Sequence, residues 1–158
     1  RGVAQEGAVA RRGGPDDDQW ESYAAHDEFV PPVVNTGPGT GWAPTGATFY
    51  TGSDLPAWHN RFVVGGLISP SIWVVPLSPP GAELPPLDDD ARRYDANWLH
   101  PDYTATAHRL LHDELGRVRH VAQSPSGELY AITSNRDGRA QGEFPRDTDD
   151  VLVRLTGL

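Results

Sequence analysis

The stretch Gly116-Arg117-Val118-Arg119-His120-Val121-Ala122-Gln123-Ser124-Pro125-Ser126-Gly127-Glu128-Leu129-Tyr130-Ala131-Ile132-Thr133 holds two runs rich in β-branched and aromatic residues, Arg117 to Ala122 and Glu128 to Thr133. Such residues suit a pleated, half-buried surface, and the Pro-Ser-Gly between them supplies what a tight reversal of the chain requires. The stretch reads as an antiparallel hairpin. Outward from it, Ala47 to Tyr50, Arg61 to Val64, Ser71 to Val75 and Asp150 to Leu155 have the same character. Turn signals at Pro44-Thr45-Gly46 and Asp137-Gly138 punctuate them, and the spacing is that of antiparallel meanders. Thr104 to Leu115 reads either as a threonine-capped helix with Leu110 and Leu111 inward or as a strand closing the first sheet. The strand is preferred, because a helix would interrupt the meander on both sides. The expectation is an all-β chain of two four-stranded antiparallel units, about 33–115 and 116–158, with no strong helix.

Residues 1–32 carry few apolar side chains, contain Gly13-Gly14-Pro15 and Asp16-Asp17-Asp18, and end in Pro31-Pro32, which predicts a connecting segment. Pro79 to Tyr103 is a second connection rich in proline and acid, where Asp88-Asp89-Asp90 suits a solvated turn better than a metal site. The first of the 158 residues is Arg1, and a true N-terminus is expected to lie upstream. The net charge of −9, with arginines scattered among acids and no lysine, argues against a nucleic-acid partner, since phosphate binding needs clustered cations. No apolar run reaches the roughly 20 residues that span a bilayer, so no membrane span is expected. The absence of cysteine removes disulfides, thiolate chemistry and zinc ribbons.

Three groups of residues invite a chemical reading. His108 and His112 would share one face of a helix as zinc ligands, but on a strand four residues separate the rings by roughly 13 Å, too far for one ion. A surface or packing role is favoured for them. Asn135 to Asp150 is acidic, yet it lacks the twelve-residue spacing and terminal glutamate of a calcium loop, so turn chemistry is expected. Arg117 and Arg119 flank Val118 at the start of a β-run and project on the same face by the period-two alternation of a strand. Their planar donors suit carboxylates. Spacing alone favours a plainer reading, separate surface pairings with acids such as Asp113 and Glu114.

The segment from Gly116 to Val121, followed by Ser124 to Arg139, resembles the last blade of the soluble PQQ-dependent aldose (glucose/sorbosone) dehydrogenases. In that family a Gly-Arg-x-Arg-Asp strand leads into a Pro-Asp-Gly-x-Leu-Tyr hairpin and a Thr-Ser-Asn-x-Asp-Gly-Arg loop. Asp149-Asp150-Val151-Leu152-Val153-Arg154 is similar to the closing strand. Ala43 to Gly52, Leu55-Pro56-Ala57-Trp58 and Phe62-Val63-Val64-Gly65-Gly66-Leu67 resemble the preceding blade, so that the likeness runs in order from Pro32 to Leu155.

The resemblance implies β-propeller blades, about two of a six-bladed ring, because a blade takes roughly 40–50 residues and this chain is too short for a whole propeller. It further implies PQQ and calcium as cofactors, an aldose or similar alcohol as substrate, the remaining blades of the parent chain as partners, and a periplasmic or extracellular location. Arg117 and Arg119 fall on the family's cofactor-binding positions. No metal ligand and no catalytic residue is assigned in this chain: the family's general-base histidine lies in an early blade, and none of the six histidines here sits in a matching motif. Where the family often carries a cofactor-contacting lysine, this chain has Ile68, which cannot pair with a quinone or a carboxylate. His120 and Ser126 replace two common aspartates. Two functions follow, a fragment of a PQQ-dependent sugar dehydrogenase supplying part of the cofactor clamp, or a non-catalytic propeller of the same descent that serves as a binding module.

Overall fold

In the computed structural model, which describes residues 30–36, 41–96 and 99–157, the β-branched and aromatic runs all become strands. In chain order these are β1 (Pro44–Tyr50), β2 (Arg61–Gly66), β3 (Ile72–Val75), β4 (Leu77–Ser78), β5 (Arg92–Tyr94), β6 (Thr104–Leu110), β7 (Val118–Gln123), β8 (Leu129–Thr133) and β9 (Leu152–Leu155). Among the described residues the one helical element is a single 3-10 turn at Pro56–Trp58. The preference for a strand at Thr104 is met by β6. Two units make up the chain, one of Trp42–Pro76 with Ala107–Leu158, the other of Leu77–Thr106 with residues before Trp42.

In the larger unit β1, β2, β3 and the last part of β6 form an antiparallel sheet in that order, with Val63 opposite Val74 and Trp73 opposite Arg109. A second antiparallel sheet runs β7-β8-β9. Its middle strand alternates cleanly, with Leu129, Ala131 and Thr133 buried and Ile132 exposed. The inward residues of both sheets meet in one core, where Tyr50, Val63 and Ile72 pack with Val118, Val121 and Leu129. Each such aliphatic or aromatic side chain contributes roughly 1.5–3 kcal/mol relative to exposure. Polar contacts fix the register between the sheets: the Thr45 hydroxyl donates to the Val118 carbonyl at 2.7 Å, and the Thr51 N–H donates to Gln123 Oε1 at 2.7 Å. Close approach also needs Gly46, since a Cβ there would lie 1.8 Å from Nδ1 of His120. Antiparallel meanders consecutive in the chain and packed face to face are the arrangement of neighbouring blades in a β-propeller.

The smaller unit is simpler. Leu77 and Ser78 of β4 pair with Ala105 and Thr104 of β6, and β5 also pairs with β6. Leu99 is buried beside Tyr94 and Ala96, and burial raises the Tyr94 phenol above its ordinary value.

Two details differ from the sequence reading. The stretch Pro79 to Tyr103, expected as a bare connection, contains β5. The second sheet has three strands among the described residues where four were expected, because the chain between β8 and β9 is built from turns. The connecting segment expected at 1–32 lies outside the described residues except for 30–32.

Candidate functional site

Three connections of the larger unit line one cleft of about 560 Å³: the turn after β2 with Leu67, Ile68 and Pro70, the link from β6 to β7 with His112, Asp113, Gly116 and Arg117, and the loop after β8 with Asn135 and residues 139–144. Arg117 is its best-anchored cation. The side chain is only 11% exposed. Its Nε–H donates to the Ser134 carbonyl at 3.2 Å, Nη1 to the Leu67 carbonyl at 3.2 Å, and Nη2 to Asp137 at 3.0 Å. A guanidinium carries five N–H groups, so with three of them committed two have no partner among the described residues and can meet a ligand.

The backbone beneath Arg117 is set by Asn135, which is wholly buried. Its Oδ1 accepts from the Arg117 N–H at 2.8 Å and its Nδ2 donates to the Leu115 carbonyl at 3.0 Å, so one amide bridges both sides of Gly116. That bridge dictates glycine: Gly116 has φ of 69°, and a Cβ would lie 2.4 Å from Asn135 Oδ1. The Asn135 N–H in turn donates to Asp150, closing the loop after β8 at its base.

The plainer pairing of Arg117 with Asp113 or Glu114 is not formed. Positive φ at Leu111 (53°) and Asp113 (58°) turns that link so that Asp113 meets His112 at 3.1 Å, while Asp137 takes Arg117. For Asp137 desolvation works against ionisation, but the Arg139 N–H and the positive charge of Arg117 outweigh it and hold the carboxyl below the usual aspartate range.

Arg119 lies elsewhere. Register passes from Val118 opposite Thr133 to His120 opposite Ile132, so Arg119 is the extra residue of a β-bulge, and bulges re-aim side chains. Val118 between the arginines is buried, as alternation requires, but Arg119 is exposed and outside the cleft lining. Among the described residues it makes no side-chain hydrogen bond or ion pair.

His108 lies on β6 opposite Val74, and His112 stands beyond the end of that strand with Nδ1 3.3 Å from the Ser71 hydroxyl. No helix brings the two together. The acidic loop closes on an internal cation, because Arg136 donates to the carbonyls of Arg146, Asp147 and Asp149. Among the described residues no three His, Asp or Glu side chains converge as metal ligands. Sequence reasoning missed Asn135 as anchor, Asp137 as partner of Arg117, and Arg139 as a third arginine near the clamp; the Asp137-Gly138 turn ahead of Arg139 was the available signal.

Fold and site together define a β-propeller protein with an arginine-anchored cleft between its loops. The family model for glucose / sorbosone dehydrogenase matches residues 13–141, and the chain belongs to that family. Comparison with curated proteins gives no match.

Proposed function

We propose that this chain supplies part of the cofactor clamp of a PQQ-dependent sugar dehydrogenase that oxidises an aldose or similar alcohol. The observation that carries this reading is Arg117, locked at the cleft with two N–H groups that meet no partner among the described residues. PQQ bears three carboxylates and an ortho-quinone, and when bound it supplies the hydride acceptor. The donors present suit such a planar anion: guanidinium N–H groups bind carboxylates in pairs, and in a partly desolvated cleft they polarise what they hold. Leu67, Ile68 and Pro70 offer an apolar wall for a flat ring system. The general base, and the ligands of the calcium that accompanies PQQ in this family, come on this reading from other blades of the full-length protein. The family resemblance also supports a periplasmic or extracellular location.

One observation favours a second reading. Ile68 is 69% exposed at the cleft, an aliphatic group where relatives often have a lysine, which suits a propeller that binds without catalysing. Titration of PQQ into the full-length protein, followed by tryptophan fluorescence, separates the two. Hydrogen bonds to charged groups contribute roughly 1.5–3 kcal/mol, so Arg117→Ala should weaken binding by about one to two orders of magnitude, while Arg119→Ala, at an exposed residue outside the cleft lining, should weaken it far less. Arg109→Ala, on β6, should leave it unchanged. Equal affinity for all variants and the parent favours the non-catalytic propeller.

A further inference from the structure

We propose, resting on the cofactor reading above, that Arg139 is a further carboxylate contact of the cleft, facing the same ligand as Arg117. The loop after β8 delivers it there. Asp137 accepts from Arg117 Nη2 through one oxygen and from the Arg139 N–H through the other, each at 3.0 Å, so a single carboxylate ties the chain carrying Arg139 to the guanidinium of Arg117. Gly138, with φ of 79°, makes the turn between them. Farther along, Arg136 holds the carbonyls of Arg146, Asp147 and Asp149, which braces the far side of the loop.

Charge accounting around the cleft points the same way. Each acid near it already has a partner: Asp113 meets His112, Glu143 meets Arg146, and Asp137 lies on Arg117. Arg139 lines the cleft, is exposed, and its guanidinium makes no hydrogen bond or ion pair among the described residues. Asp137 is bonded to the guanidinium of Arg117 and to the backbone N–H of Arg139, so the cluster of Arg117, Asp137 and Arg139 has one acid for two cations and keeps a net positive charge. A surplus cation held at the rim of an arginine-anchored cleft suits a ligand with more than one carboxylate.

The test uses the full-length protein, PQQ, and the trimethyl ester of PQQ, which keeps the shape and loses the negative charges. Arg139→Ala should weaken PQQ by about 5- to 20-fold, less than a buried contact because the residue is exposed. It should leave the ester unchanged, and Arg139→Lys should recover part of the loss. If Arg117→Ala weakens PQQ while Arg139→Ala matches the parent, this assignment falls and the clamp reading stands. If neither variant changes affinity, both fall. Equal weakening of PQQ and the ester by Arg139→Ala would mean a disturbed loop rather than a lost carboxylate contact, and would also overturn the assignment.

Discussion

Replacing Asn135 by alanine removes one amide and with it the bridge under the clamp. Two hydrogen bonds are lost, from the Arg117 N–H at 2.8 Å and to the Leu115 carbonyl at 3.0 Å, at a residue with no solvent exposure. A buried polar group left unsatisfied costs about 1–3 kcal/mol, and because water can enter from the cleft side the pair should cost about 2–4 kcal/mol together. One kcal/mol corresponds to about 2–4 °C for a domain of 150–250 residues and to less for a larger one, so in the full-length protein Tm should fall by about 3–8 °C. Differential scanning calorimetry of the full-length protein, parent against Asn135→Ala, reads this directly. PQQ affinity should fall as well, since the backbone that aims Arg117 loses its anchor. A Tm within about 1 °C of the parent would refute the assignment of Asn135 as keystone, because the link between β6 and β7 would then be held by something else.

Gly116→Ala should cost a similar amount, as its left-handed backbone carries a penalty of about 1–2 kcal/mol for any Cβ and the new methyl would meet Asn135 Oδ1. Combined with Asn135→Ala the cost should be less than additive, since the methyl then enters vacated space; an additive double-mutant cycle counts against the contact. Asp137 gives a pH dependence. Its carboxyl is held below the ordinary aspartate value, so its contribution to stability is present above about pH 4 and is lost as pH falls through the lower folded-state value. Asp137→Asn should flatten that acid limb in a Tm-against-pH series, and an unchanged limb would count against the pairing.

The strands of both sheets were legible because β-branched and aromatic runs alternate with turn formers, a pattern set locally. Leu129, Ala131 and Thr133 show it most clearly. Strand β5 was not legible, since three residues give no period to read. The site was half legible. Arg117 stood out by its spacing and by the family motif, yet its partner lies 20 residues away, brought near by the fold of β7 against β8. The nearer acids lose because left-handed residues at Leu111 and Asp113 redirect the chain, and nothing local in a leucine announces positive φ. Arg119 eluded strict alternation for a related reason: a bulge depends on how two strands register, which neither strand states alone.

Loss of affinity can follow from any disturbance of a cleft, whereas a gain at a chosen position requires the ligand to be there. Ile68 lines the cleft with Arg117 and is 69% exposed, so a lysine can be placed there without disturbing the core. The most direct measurement is therefore the dissociation constant of PQQ for full-length Ile68→Lys against the parent, by fluorescence titration at fixed salt. A charge-assisted contact of roughly 1.5–3 kcal/mol, discounted for solvent exposure, should tighten binding by about three- to thirtyfold. Unchanged or weaker binding by Ile68→Lys would contradict the claim that this cleft holds the cofactor.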